Sequence, residues 1–157
     1  MNLKVGVLGY ARCIRFNLLT KEVEVDTGWI KNTFVNVGKA YVAQLLKDPT
    51  SVNAMEYIAV GSSSNAESDT ETSLVSEITG NGLERSQATK SIATTTVAND
   101  TFIASYIWTP SGPETVRETG IFDAPTNGNM LGRVLVSPAI AVDIGQQLNG
   151  FVKVVIA

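Results

Sequence analysis

Turn chemistry constrains this chain more than any other feature of its sequence. Asn99-Asp100, Pro110-Ser111-Gly112-Pro113, Thr126-Asn127-Gly128-Asn129 and Ile144-Gly145 each supply residues that accept the backbone angles of tight turns, and Asn-Gly is the strongest short hairpin signal. The segments around these turns are dense in β-branched and aromatic residues, which fit the pleated, half-buried surface of a sheet. Strands are therefore predicted near residues 83–88, 89–97, 101–108, 116–122, 130–137 and 147–156. Strand, turn and strand at this spacing give a mainly β chain folded as an antiparallel β-sandwich.

Upstream the pattern is mixed. Loose alternation over residues 3–10 and 12–19 reads as two short strands, and Glu22-Val23-Glu24-Val25 places both valines on one face. Phe34, Val37, Gly38, Tyr41, Val42 and Leu45 recur at helical spacing, with Asn32, Thr33 or Asn36 as candidate caps and Asp48-Pro49 as the stop. This is the one main amphipathic helix. Tyr57-Ile58-Ala59-Val60-Gly61 is a short apolar run of the kind found in buried strands; residues 62–73 read as an exposed polar loop, and residues 70–78 as one or two helical turns carrying Leu74, Val75 and Ile78. The chain thus divides into an extended N-terminal segment, residues 1–30, forming an arm or edge strands, and a β-rich structural domain over residues 31–157.

Composition narrows the function. Charged residues make up 17% and hydrophobic ones 44% of 157 residues, enough apolar content to fold as one ordinary domain. The net charge of -3 without a Lys/Arg cluster gives no footprint for phosphate backbones, so no nucleic-acid partner is expected. No apolar stretch approaches the ~18 residues of a membrane span, no secretory leader is evident in Met-Asn-Leu-Lys-Val-Gly, and no membrane partner is expected.

The sequence contains no histidine, which removes the usual general base at neutral pH and the commonest zinc ligand. Cys13, the single cysteine, lies between Arg12 and Arg15 but reads as a small buried hydrophobe. The carboxylate pairs Glu22/Glu24, Asp69/Glu71 and Glu114/Glu118 read as solvated surface charge. No calcium loop and no dinucleotide fingerprint is present, Gly6-Val7-Leu8-Gly9 lacking the third glycine. The expectation is a non-enzyme with no metal and no cofactor. Trp29, Tyr57, Tyr106, Trp108 and Phe122 suit a sugar-binding groove if exposed beside a carboxylate such as Glu114 or Glu118, and core or interface packing if not.

A set of motifs runs in order through the chain: Asn32-Thr33-Phe34-Val35-Asn36-Val37-Gly38, Tyr57-Ile58-Ala59-Val60-Gly61-Ser62-Ser63, Ser68-Asp69-Thr70-Glu71-Thr72-Ser73-Leu74, Arg117-Glu118-Thr119-Gly120-Ile121-Phe122-Asp123-Ala124, and Met130-Leu131-Gly132-Arg133-Val134 through Ser137-Pro138-Ala139-Ile140. The ordered set resembles a broad group of tailed-phage structural proteins, among them tail-fibre-like, minor structural and head-decoration proteins. The likeness runs from about Asn32 to the C-terminus. Residues 1–30 lie outside it, and Gln146 to Lys153 departs from its usual ending. Independently of the resemblance, Glu118 and Arg133 fall on adjacent predicted strands and are placed to pair across the sheet.

The resemblance implies a virion component assembled in the host cytoplasm. Its first expected role is a head-decoration (cement) protein that clusters with copies of itself, as a trimer, and binds the major capsid protein; its second is a tail-fibre, tail-tip or baseplate protein, with a carbohydrate-binding module behind both. A host regulator absent from particles is the remaining class. Val5, Val7, Tyr10, Ile14, Phe16, Trp29 and Trp108 are the candidate interface residues, because bulky side chains on N-terminal strands suit addition onto a partner.

Overall fold

The computed structural model describes residues 6–156. Among these residues are eleven strands and one α-helix: β1 (Val7–Asn17), β2 (Val23–Asp26), β3 (Ile30–Lys31), β4 (Thr33–Phe34), α1 (Asn36–Lys47), a 3-10 turn (Pro49–Ser51), β5 (Tyr57–Gly61), β6 (Ser86–Gln87), β7 (Thr89–Ala93), β8 (Thr101–Trp108), β9 (Glu114–Phe122), β10 (Met130–Val142) and β11 (Gln146–Ile156). Two antiparallel sheets pack face to face. Sheet A runs β2-β1-β11-β8-β7, with β3 also paired to β1, and sheet B runs β4-β10-β9-β5-β6. The β-sandwich expected from the turns is therefore the fold.

Alternation explains the core. In β1, Ala11 and Cys13 are buried while Tyr10, Arg12 and Ile14 point the other way; in β11, Leu148, Val152 and Val154 are buried in step. They meet Ile58, Val60, Val116, Ile121, Val134 and Ile140 of sheet B in one cluster. Trp108 closes it, lying where Gly150 has no side chain: a Cβ there would sit 2.7 Å from the indole ring. Cys13 is fully withdrawn into this cluster, and burial pushes its thiol up to about 12. It is the packed small hydrophobe expected, not a reactive thiol.

The N-terminal segment departs from expectation. One strand, Val7–Asn17, replaces the two predicted, and it pairs along its whole length with β11, from Val7 opposite Ile156 to Asn17 opposite Gln146. On its other side it carries β2 and β3. Residues 7–17 are thus an interior strand of sheet A, because β11 supplies a full ladder of backbone partners to a segment whose alternate residues fill the core, and the edge within residues 1–30 is β2.

Helix α1 and its stop fall where predicted, but none of the expected caps works. Its N-cap is Val35, which makes no side-chain cap bond. Burial of Val35, with its N–H on the carbonyl of Leu131, fixes the helix start instead. Gly38 lets the helix lie against β10, since a Cβ there would meet the Leu131 carbonyl oxygen at 2.1 Å. At the other end Pro49 follows Asp48, whose carboxylate accepts the N–H of Thr50 at 3.0 Å. No helix among the described residues is long and apolar enough to cross a membrane. Residues 70–78 form turns and a β-bridge between Gly61 and Glu77, not the helical turns predicted.

Candidate functional site

The two outer faces of the sandwich are finished differently. Over sheet B, residues 62–85 fold back across the strands. Leu74 packs with Val35, Ala59, Phe122 and Met130 in a second small core, and Arg85 lies 3.6 Å over the ring of Phe122 while pairing with Glu77 at 2.6 Å. The loop is fastened by a buried charge network. The guanidinium of Arg133 donates to Glu118 at 2.5 Å, to Glu71 at 3.0 Å and to the carbonyl of Asn65 at 3.0 Å. Glu118 in turn accepts the N–H groups of Ser76 at 2.7 Å and Val75 at 3.2 Å. Glu67 completes the seam, accepting from the hydroxyl of Thr33 at 2.5 Å and the N–H of Leu135 at 2.7 Å.

Glu118 and Arg133 are both completely buried, so each needs the other and its full set of hydrogen bonds. The cross-strand pairing expected from sequence is formed. Its partner Glu71 belongs to one of the motif segments, and Gly120, from another, leaves room for Leu74, whose Cδ2 would lie 3.1 Å from an added Cβ. These motif residues build a covered face.

Among the described residues, sheet A has no such cover over its centre. Its outer side collects Tyr10, Ile14 and Phe16 from β1, Phe151 from β11, and Ile103 and Ile107 from β8. The register aligns them in rows: Ile14 is opposite Asn149, which is opposite Ile107, and Tyr10 is opposite Lys153, which is opposite Ile103. Trp29, 40% exposed, joins from the segment before β3 and meets Phe151 edge-on with ring centroids 6.4 Å apart. Ile107 and Val23 are 52% and 54% exposed, far above what a core position shows.

Polar groups divide the apolar side chains of this face, Asn149 and Lys153 standing between the residues of β1 and β8 and Arg12 and Ser105 flanking Phe151. The ammonium of Lys153 lies 4.4 Å from the Trp29 ring centroid and 5.0 Å from that of Tyr10, a cation held between two aromatic faces. Arg12 grips Asp26 with both arms, Nε donating at 2.9 Å. That contact first, and the N–H of Gly28 second, holds the Asp26 carboxyl down at about 2. One group is left over: the side-chain oxygen of Asn149, in the middle of the face, is buried without a hydrogen-bond partner among the described residues.

The candidate interface residues separate cleanly. Tyr10, Ile14, Phe16 and Trp29 come together on the open face. Val7 and Trp108 do not: Val7 packs against the core, and Trp108 is 2% exposed with its indole N–H on the carbonyl of Glu84 at 2.9 Å. Val5 lies outside the described residues. Reasoning on residue type alone took Trp108 for a surface anchor because size does not report which way a strand residue points. Ile103, Ile107, Phe151 and Lys153 share the open face with Tyr10, Ile14, Phe16 and Trp29, as the alternation of β8 and β11 dictates. Trp108 and Phe122 are buried, as is Glu118, so these residues form no open groove of aromatic rings beside a carboxylate.

Comparison with known proteins adds the family. Residues 30–152 match the family described as podophage GP4 fiber I protein gp80, a span that holds every motif residue of the covered face. No curated protein matches the chain. With the match spanning most of its length, the chain belongs to the podophage GP4 fiber I protein gp80 family and is a structural component of a phage virion.

Proposed function

We propose that this protein is a non-catalytic building block of a tail-fibre assembly, joined to a second copy of itself through the outer face of sheet A. The uncovered apolar face carries the reading. Soluble monomers rarely group large apolar side chains at the surface without a partner, and here Ile107, Val23 and Trp29 are exposed beside half-buried Tyr10, Ile14, Phe16 and Phe151. Over β1, β11, β8 and β7, of 11, 11, 8 and 5 residues, strand rise and spacing give a face of ~550 Å², which fits a small, reversible contact rather than a standard interface of about 800 Å² per partner. A single patch meeting its own copy gives a twofold pair; the trimer expected from sequence requires a second, different surface.

The fibre location is supported by the description of the family, which names a fibre protein. The shell-decorating role expected first from the sequence has no comparable support. Gold-labelled antibody against the protein, applied to intact particles and viewed by electron microscopy, tests the location. Label confined to fibres at the tail end supports the proposal, and label spread evenly over the head overturns it in favour of the cement role.

A further inference from the structure

Asn-Gly occurs three times, at residues 81–82, 127–128 and 149–150. The pair is chemically labile because glycine offers an unhindered backbone nitrogen. That nitrogen attacks the asparagine side-chain carbonyl carbon and ammonia leaves. The resulting cyclic imide takes up water at either carbonyl, giving aspartate or isoaspartate. Ring closure requires the backbone to deform and the nitrogen to be free, so a rigid hydrogen-bonded frame suppresses it.

The fold treats the three pairs differently. Asn149 and Gly150 sit inside β11, with strands paired on both sides and Gly150 buried against Trp108. Asn81 is in a turn but held at both ends: its amide donates to Glu114 at 2.9 Å, and its carbonyl accepts the N–H of Ser111 at 2.8 Å. Asn127 and Gly128 are exposed at the tip of the β9-β10 loop, at φ 54° and 75°. Neither the Asn127 side chain nor the Gly128 N–H has a hydrogen-bond partner among the described residues; the Asn127 carbonyl alone is held, by Arg85 at 2.7 Å.

We infer that Asn127 is a site of spontaneous self-modification, converting to aspartate and isoaspartate in the folded protein while Asn81 and Asn149 stay intact. The loop is built to survive it. Asp123 pins the far end, accepting the backbone and side-chain N–H groups of Asn129 at 2.6 and 2.8 Å, so the extra main-chain carbon of isoaspartate is absorbed at the tip. The product sets a new carboxylate in the groove lined by Glu77, Glu84 and Arg85, beside a guanidinium that already holds the Asn127 carbonyl.

The test is to age the intact protein at mildly alkaline pH, digest it and quantify both products at each pair by mass spectrometry, with a parallel sample aged in urea. Conversion at Asn127 several-fold faster than at the other two in the folded protein, and similar at all three in urea, is the expected result. Equal rates at the three pairs in the folded protein, or faster loss of Asn81 or Asn149, overturns the inference.

Discussion

Glu118 and Arg133 meet at 2.5 Å with neither side chain touching solvent, and this pair ties the cover of sheet B to the sheet beneath it. Removing one partner strips the other of its buried counter-charge, which costs up to about 3–5 kcal/mol, softened for Arg133 by its second partner Glu71 at 3.0 Å. Glu118→Gln and Arg133→Met are each expected to lower stability by roughly that amount in urea unfolding. Glu118→Leu combined with Arg133→Met should recover part of the loss, since the apolar pair leaves no charge at the two fully buried positions and Glu71, the remaining partner, reaches solvent. A double variant as unstable as the sum of the singles would disprove the pairing argument.

The open face of sheet A should behave as an association surface. Ile14→Glu or Ile107→Glu places a carboxylate on either side of Asn149, at positions on the outer face of sheet A that the core does not need. Sedimentation should show the wild-type chain as a pair and either variant shifted toward the single-chain mass, with the far-ultraviolet dichroism unchanged. Loss of secondary structure in both variants would assign these side chains to folding instead.

Asn149 lies in the centre of that face, its side-chain oxygen withdrawn from solvent and without a hydrogen-bond partner among the described residues. Asn149→Leu should keep the fold and change the strength of association measured by dilution. Unchanged association would remove Asn149 from the interface.

Cys13 is enclosed in the core, and its thiol is pushed up to about 12. A thiol-alkylating reagent should leave the native protein unmodified at neutral pH and label it stoichiometrically in urea. Rapid native labelling would mean that β1 detaches from β11 on the timescale of the reaction.

Asp26, held down at about 2 by Arg12 and Gly28, should give an acid-dependent step. An ordinary aspartate in the unfolded chain ionises near pH ~3.9. The contribution of the contact is therefore present above that value and lost as pH falls through about 2. The pair is partly exposed, so the step is small and weakened by salt. Asp26→Asn should flatten the stability profile across that interval, as followed by urea midpoints.

Much of this structure is legible in the sequence. Tyr57–Gly61 and Thr101–Trp108 have the bounds that their composition predicts, and α1 stops at Asp48 because proline follows. What was hidden depends on partners distant in sequence. Val35 caps the helix by being buried, β1 becomes interior because β11 lies beside it, and residues 70–78 stay non-helical because Val75 and Ser76 give their N–H groups to Glu118, more than forty residues away. Local propensity is silent on such contacts. The open face was half visible: Tyr10, Ile14, Phe16 and Trp29 stood out by size, but which sheet face lacks a cover became apparent only in the folded chain.

Strand β1 has one more consequence, concerning the order of events during synthesis. Its ladder partner β11 begins more than a hundred residues later, at Gln146. Throughout translation, residues 7–17 wait without the strand that shields their backbone on one side and completes the core beneath them. Sheet A can close only when the last strand has left the ribosome, which makes folding dependent on a long-range encounter and correspondingly slow. Until then Tyr10, Ile14 and Phe16 stand on an incomplete sheet, able to stick to any neighbouring nascent chain.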